Sequence, residues 1–317
     1  MINSTHTPID NRKNAMDNEK TSMGSVPNPM DNIVVRPLRF DYANIEAQDP
    51  VWSRSSPLFA IYINALGVHI PYFERYLMHS FRSVRQEIKN PKLLKEVSAI
   101  IGQEAHHAKN FVDYNQFLIK RYPEVEALDK RAKDHFEKSL AQDSIKSQIA
   151  YVAGYETFTF LGGMIILDGY DKWMKDADPV IRSMWVWHQV EEVEHGAVAF
   201  DVYKYFYAQH EWYRKWNVLK SLLHIASETW KAYRPMCKKE GYFSSPIKAI
   251  KAIGFFAHIS FKLAKSALPV FSGKYHPRQI SEDESNPIAV AWREKYSRGE
   301  DILEMRNNDV NTMLKAS

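Results

Sequence analysis

The feature that most constrains this chain is a motif that occurs twice: a polar residue, then a glutamate, then a histidine three positions later. The two glutamate–histidine pairs are Glu104 with His107 and Glu192 with His195. On an α-helix, residues three apart project from the same face about one turn from each other, so each pair can reach one metal ion. The repeated motif therefore predicts two helices that face a common metal site.

Two further glutamates lie in segments that are otherwise poor in charge. Glu74 lies within the apolar segment Ile70–Leu77, and Glu156 is the only charged residue between Lys146 and Asp168. An ionised carboxylate in such surroundings is costly unless it is paired or binds a metal. Di-metal helical bundles combine two Glu-x-x-His motifs with one glutamate from each of two other helices. The predicted metal ligands are Glu74, Glu104, His107, Glu156, Glu192 and His195.

The order and spacing of these residues favour one topology. Glu74 precedes Glu104 by 30 residues and Glu156 precedes Glu192 by 36, which in each case fits a helix, a turn and part of the next helix. The 48 residues between His107 and Glu156 suit the long crossover of ferritin-like bundles. The predicted fold is all-α, a ferritin-like four-helix bundle with a long crossover between helices two and three, plus additional C-terminal helices.

Composition agrees with an all-α fold, because Gly (12) and Pro (15) are sparse in 317 residues. Helix starts are predicted where Ser56 precedes Pro57, where Asn90 precedes Pro91, and at Asp143 or Ser144. A polar, charged stretch over 124–142 follows Pro123. The predicted helices run over about 71–90, 91–122, 144–167, 180–208, 212–237 and 246–268.

Charge is distributed unevenly along the chain and divides it into regions. Residues 212–278 contain 13 Lys and Arg against Glu228 and Glu240, a net +11, so the rest of the chain carries −7 of the overall +4. We therefore expect a basic appendage on an acidic body. The predicted regions are a disordered N-terminal tail (1–32), a di-metal bundle (33–210), a basic helical appendage packed on it (211–280) and a C-terminal tail (281–317).

The basic appendage contains an amphipathic helix after Pro246. Its lysines are expected on one side of the helix, opposite an apolar side. Such a helix can lie in a membrane interface or meet an anionic amphiphile; alternatively, it covers the bundle with its apolar side and exposes its lysines. The lysines are Lys248, Lys251, Lys262 and Lys265, and the apolar side comprises Ile250, Ile253, Ala257, Phe261, Ala264 and Leu268.

The cellular location is predicted from three features: the number of cysteines, the absence of a signal-like apolar run in the N-terminal tail, and the length of the apolar runs. The one cysteine, Cys237, excludes an intrachain disulfide and a thiolate cluster built from this chain, which fits the cytoplasm. The tail lacks the apolar run of a secretory signal, and the best uncharged apolar run, Ile253–Phe261, is too short to span a bilayer. A cytoplasmic protein is expected, with the inner face of the membrane as an alternative peripheral location.

Residues that support the ligands are also predicted from helical spacing. The position before each ligand glutamate suits a hydrogen bond to the histidine of the other motif, so Glu191 is paired with His107 and Gln103 with His195. His188 shares the face of the second motif and is interpreted as a hydrogen-bonded neighbour, with a ligand or proton carrier as the alternative. For His106 and Glu194 we expect surface or hydrogen-bonded positions.

Several segments together resemble a known bacterial family, the predicted metal-dependent hydrolases of the ferritin-like superfamily. The likeness covers roughly residues 33–280 and implies a ferritin-like fold and a di-metal centre. One departure is Phe73, which stands where the family usually has glycine. The matching segments are Val35–Phe40, Ile70–Arg75, Gly102–His107, Trp187–His195, Val198–Asp201 and Tyr275–Pro277.

The leading functional prediction is a di-iron oxidoreductase, desaturase-like or oxygenase-like, that activates O2 on a hydrophobic or acyl-chain substrate. Iron is the favoured metal and Mn or Zn the alternatives, with Glu104 and Glu192 as the bridging catalytic carboxylates. Alternatives are a hydrolase with a metal-bridging hydroxide, a ferroxidase or metal store, and a metal-free structural bundle. The expected partners are a lipid-like small molecule, an anionic membrane surface, an electron-donor protein and a second copy in a homodimer, but no nucleic acid.

Overall fold

The fold is all-α, as predicted, in a computed structural model that describes residues 28–42, 49–281 and 286–302. Within these ranges there is no β-strand, and Ser53 and Ala177 form one isolated β-bridge. The α-helices are α1 (Pro57–Gly67), α2 (Ile70–Val84), α3 (Pro91–Arg121), α4 (Glu124–Gln142), α5 (Ile145–Asp168), α6 (Tyr170–Trp173), α7 (Pro179–His195), α8 (Val198–Tyr207), α9 (Glu211–Lys239), α10 (Pro246–Ser266), α11 (Pro277–Ser281) and α12 (Pro287–Ser297).

Four helices enclose the centre of the molecule. Helix α2 packs along α3 and α5 along α7, while α2 also contacts α5 and α3 contacts α7. Helix α5 is covered further by α8 and α9, and α1 packs on α9. A helix with neighbours on so many sides must be apolar around its circumference, which explains the charge-poor sequence of α5.

Helix α5 is also long and apolar enough to cross a membrane by length and composition. The protein itself buries 83% of its most apolar 18-residue window. Its hydropathy is therefore that of a core helix. The other described helices do not meet these criteria.

Local sequence signals account for several helix starts. The Asn90 side chain accepts hydrogen bonds from the backbone N–H groups of Lys92 and Leu93, as a helix cap should. Ser144 caps α5 in the same way through Ser147 N. Ser56 occupies the residue before α1, but its side chain makes no capping bond.

Several elements differ from the prediction, and one of them is α2, which ends at Val84 and not near residue 90. The charged stretch after Pro123 forms helix α4, because Val125, Ala132 and Phe136 recur at helical spacing and are buried. The helix predicted over 180–208 is divided into α7 and α8 near Gly196. A Cβ atom at Gly196 would lie 2.6 Å from the ring of Phe160, so glycine allows the chain to approach α5 closely at this break.

The basic appendage is an antiparallel pair, α9 and α10, reversed by a turn that contains Gly241 at φ +75°. Tyr233 Oη donates to Ala252 O near the turn (3.0 Å), and Lys215 Nζ donates to Phe271 O at the far end (2.9 Å). Helix α10 contacts α1, α5 and α9. It buries Ala252, Ile259 and Leu263, whereas most of the predicted apolar side is exposed.

The predicted terminal tails are described only in part. Residues 1–27 lie outside the described residues, but Met30 is fully buried within a short 3-10 helix, Pro29–Asp31. The segment after residue 280 contains α12, which packs on α7 and buries Trp292. The domain boundaries remain predictions.

Candidate metal centre

Four helices deliver the six predicted ligands to one place. Helix α2 supplies Glu74, α3 supplies Glu104 and His107, α5 supplies Glu156, and α7 supplies Glu192 and His195. Each of these side chains is at most 2% exposed. Their candidate ligand atoms form two groups, each with all atoms within 4.8 Å of one another: Glu74, His107, His188 and Glu192; and Glu104, Glu156, Glu192 and His195.

Glu104 and Glu192 lie between the two motif histidines. Glu104 approaches His107 Nδ1 with Oε2 (3.5 Å) and His195 Nδ1 with Oε1 (3.3 Å). Glu192 lies 3.7 Å from His107 Nδ1 through Oε1 and 3.1 Å from His195 Nε2 through Oε2. Each carboxylate therefore presents one oxygen toward the histidine of each motif, and the bridging role of Glu104 and Glu192 remains a prediction.

His188 is placed as a seventh donor. Its Nε2 lies 3.0 Å from Glu192 Oε1 and 3.4 Å from Glu74 Oε1. Its other ring nitrogen, Nδ1, is 2.8 Å from the side-chain amide of Gln189. The sequence favours a hydrogen-bonded neighbour, whereas the structure aims Nε2 directly at two candidate ligands.

The centre collects buried polar atoms that lack hydrogen bonds of ordinary geometry. Such atoms cost free energy when nothing compensates them, so several at one point indicate a missing partner. Oxygen and imidazole nitrogen donors suit Fe, Mn and Zn. The residues therefore fit metal ions. The unbonded atoms are both carboxylate oxygens of Glu74 and of Glu104, one oxygen each of Glu156 and Glu192, Nδ1 of His107, Nε2 of His188 and both ring nitrogens of His195.

Burial and mutual attraction shift the ionisation of these groups in opposite directions. Burial raises the pKa of Glu74 to about 7 and holds the pKa of Glu156 well above its ordinary value. Burial also opposes a charge on Glu192 and on His195, but their attraction outweighs it. The pKa of Glu192 is therefore well below its ordinary value, and the pKa of His195 rises to about 10. A bound cation would replace the protons that the carboxylates now share with the histidines.

Glu191 has the partner predicted for it. Its Oε2 lies 2.9 Å from His107 Nε2, so the remaining nitrogen of His107, Nδ1, faces the carboxylates of the centre. Arg36 Nη1 donates to Glu191 Oε1 (3.0 Å). Whether Glu191 supports a metal ligand remains a prediction.

The contact predicted between Gln103 and His195 is wrong. The Gln103 amide nitrogen donates to Val34 O (2.9 Å) and to Glu194 Oε2 (3.3 Å), and its amide oxygen has no hydrogen-bond partner. The N-terminal segment lies against α3 at this point and supplies the backbone carbonyl that the amide meets. Gln103 thus joins Glu194 of α7 to that segment.

The sequence patterns do not predict an ion network that lies beside the centre. Arg36 donates to both oxygens of Glu194 at 2.8 and 2.9 Å, and Arg293 Nε donates to Glu194 Oε1 at 3.0 Å. Glu194 is therefore buried and hydrogen-bonded, whereas His106 is half-buried. Arg36 lies in a segment that matches the family, but its carboxylate partners are more than 150 residues away. Helical spacing carries no signal for such a contact.

A narrow apolar cavity of about 70 Å³ leads to the centre. Two of its lining residues touch the carboxylates: His188, and Thr159, whose hydroxyl donates to Glu156 Oε1 (3.3 Å). Phe73 lines the cavity and stacks on Tyr155 with ring centroids 4.1 Å apart, so it forms part of the wall. Other lining residues include Tyr62, Phe158, Ile165, Trp185, Ile259 and Leu263.

The fold and the site together define a helical protein with a buried carboxylate–histidine centre suited to metal ions. Residues 34–281 match the model of the family described as predicted metal-dependent hydrolase, and the chain belongs to that family. Comparisons with curated proteins and with solved structures gave no match. The family description favours the hydrolase alternative, and nothing in the comparisons supports the predicted oxygen activation.

Proposed function

We propose that the protein is a metal-dependent hydrolase that holds two metal ions between α2, α3, α5 and α7 and cleaves a hydrophobic, acyl-chain substrate. The observation that carries this proposal is the convergence of unpartnered oxygen and nitrogen donors at the inner end of an apolar cavity. The family description supports the reaction class. The cavity supports the substrate class, since apolar walls with few polar groups select an apolar ligand.

Each half of the centre would hold one metal ion. Glu74, His107 and His188 would bind the first, and Glu104, Glu156 and His195 the second, with Glu192 shared. The mutual packing of the four helices supports a ferritin-like arrangement for this centre. Two metal ions would supply a Lewis acid for the scissile group and lower the pKa of a water molecule.

The residues of the chain have separate tasks in this proposal. Glu191 fixes the orientation of His107 through Nε2, and Thr159 fixes Glu156 through Oε1. The cavity walls orient the apolar part of the substrate and exclude water along its length. His188 Nε2 faces Glu74 and Glu192 where the cavity ends, which places it to bind the first metal ion at that point.

The proposal is tested with p-nitrophenyl esters of increasing acyl length. We expect purified protein to contain about two metal ions per chain and to hydrolyse the esters, with kcat/KM rising with chain length. Chelation should abolish the activity, and metal should restore it. Metal binding without hydrolysis of any ester would refute the reaction class, and equal activity on short and long chains would refute the role of the cavity.

Oxygen activation is retained as a second candidate because the donor set is compatible with iron. Four carboxylates and three imidazoles form a hard ligand set suited to iron or manganese. Elemental analysis and oxygen consumption by the reduced protein separate the two proposals. Iron with stoichiometric oxygen uptake would favour the oxidoreductase, whereas zinc without uptake would exclude it.

A further inference from the structure

Helix α10 presents an unpartnered apolar stripe to solvent. Ile250 is 69% and Phe261 68% exposed, and Ile247, Ile253 and Leu268 are also exposed. These positions lie along one side of the helix, so they form a continuous stripe. Contiguous apolar surface of this kind marks a place where a soluble chain meets a partner or a membrane.

The adjoining surface of α9 is also apolar and exposed. Trp212 is 79% and Trp216 60% exposed, and Leu219 and Leu223 follow at helical spacing. The two helices run antiparallel, since Tyr233 contacts Ala252 near the turn and Lys215 contacts Phe271, just after α10. Exposed tryptophans suit a membrane interface, where an amphipathic ring meets both lipid and water.

Positive charge borders the apolar stripe. The lysines of α10 are exposed, and none has a carboxylate partner among the described residues. The two acidic residues of 212–278 form ion pairs with other side chains. Glu228 pairs with Arg131 and Lys231, and Glu240 pairs with Arg121. The four lysines are Lys248, Lys251, Lys262 and Lys265.

We propose that α10 and the first half of α9, the docking surface, bind an anionic lipid bilayer, with the apolar stripe in the interface and the lysines at the headgroups. Charge complementarity selects this occupant, because lysines without carboxylate partners beside an apolar stripe match phosphate headgroups above acyl chains. Of the four, Lys262 also lies over the ring of Trp173, 5.7 Å from its centroid. Another protein would have to supply both acidic and apolar surface in the same register. The proposal does not depend on the chemistry of the metal centre.

The position of the cavity is consistent with a lipid bilayer at the docking surface. Ile259 and Leu263 on the inner side of α10, and Ile225 of α9, line the cavity that ends at the centre, while Phe261 projects from α10 into solvent. One helix thus separates the docking surface from the cavity. An acyl chain leaving a bilayer at this surface would have a short apolar path to the centre.

Vesicle flotation of the full-length protein tests the proposal. We expect binding to phosphatidylcholine vesicles that contain phosphatidylglycerol at low salt, weak binding to pure phosphatidylcholine, and release at high salt. Replacing Lys248, Lys251, Lys262 and Lys265 together by Gln should weaken binding roughly a hundredfold. The matched control replaces four exposed lysines on α3 and α4 by Gln, namely Lys95, Lys109, Lys133 and Lys138. It removes the same charge from another part of the surface and should leave binding nearly unchanged.

A second pair of variants tests the apolar stripe. Ile250→Ser with Phe261→Ser should weaken binding to anionic vesicles at least tenfold, whereas Ile145→Ser at the start of α5 should not. Circular dichroism confirms that each variant is folded. Equal losses in the two lysine variants, an unchanged apolar variant, or absence of binding at low salt would overturn the proposal. A dimer in sedimentation that Phe261→Ser dissociates would also overturn it, because a second copy would then cover the stripe.

Discussion

Glu192 is the candidate ligand that belongs to both donor groups, so its replacement should affect both. Its two oxygens face His188 and His195, which keep its pKa well below the ordinary value although burial opposes this. We expect Glu192→Gln to lower metal content from two ions to one or none and to reduce activity by at least a hundredfold. Glu194→Gln is unsuitable as a control because Glu194 is buried against Arg36.

The control for Glu192 is Glu126→Gln, at an exposed position in the first turn of α4. It removes the same charge from the surface and should retain both metal ions. Metal content is measured by elemental analysis after gel filtration. Equal metal content in the two variants would contradict the assignment of Glu192.

The raised pKa of Glu74 has a pH-dependent consequence. The folded, metal-free protein binds a proton at Glu74 between about pH 4.5 and 7, which the unfolded chain does not. The stabilisation from this proton is therefore lost as pH rises toward 7. Metal binding must displace the proton, so affinity should rise roughly tenfold per pH unit for each proton released up to about pH 7.

Calorimetric titration of metal-free protein with Zn²⁺ between pH 5.5 and 7.5 measures this dependence. Buffers of different ionisation enthalpy report the number of protons released. Glu74→Gln should bind zinc more weakly and release fewer protons. An affinity that falls with rising pH over this range would contradict the protonation assigned to Glu74.

The convergence of the candidate ligands could be predicted because each of these residues carries a local signal. A Glu-x-x-His pair, or one glutamate in an apolar helix such as α5, stands out from its immediate neighbours. Gln103 and Arg36 carry no such signal, because their partners come from segments distant in the chain. Local spacing specifies which face of a helix a side chain occupies, but it does not specify what packs against that face.

At the scale of elements, the contact between α5 and α9 depends on one glycine. A Cβ at Gly154 would lie 2.5 Å from Ser221 Oγ and 2.6 Å from the backbone oxygen of Asn217. Because backbone cannot move aside easily, Gly154→Ala should destabilise the protein by about 1–3 kcal/mol. The shift would also displace Glu156 and lower metal affinity.

Gly162 provides a matched control on the same helix. A Cβ there meets nothing within 4 Å, so Gly162→Ala should be neutral or stabilise by up to about 1 kcal/mol. Urea unfolding of both variants measures the difference. If Gly154→Ala were as stable as Gly162→Ala, the close approach of α5 and α9 would be refuted.

The starts of α3 and α5 could also be predicted, since Asn90 and Ser144 act through their nearest neighbours. The break at Gly196 could not, because its cause is the ring of Phe160 on another helix. Helix α4 is similar. Its buried positions are few and are separated by charged residues, so the side of α4 that packs on α2 is difficult to recognise in the sequence.

At the scale of the whole molecule, one ion network joins both ends of the described chain to α7. Arg36, 4% exposed, binds Glu191 and Glu194, while its guanidinium lies 5.3 Å from the ring centre of Trp292 on α12. Arg36→Gln would leave two buried carboxylates without this partner. We expect a loss of about 3–5 kcal/mol in unfolding free energy and weaker metal binding through His107.

Arg39 provides the comparison for Arg36. It pairs with Asp113 at the surface, so Arg39→Gln should cost at most about 1 kcal/mol. Thermal unfolding with and without added metal gives both values. Similar losses in the two variants would show that the network around Glu194 contributes little to stability.

The contact between Arg293 and Glu194 also has a consequence for biosynthesis. Helix α12 begins 92 residues after His195, so every candidate ligand is synthesised before Arg293. Glu194 therefore gains this second guanidinium partner late in synthesis, after the residues of the centre have been made.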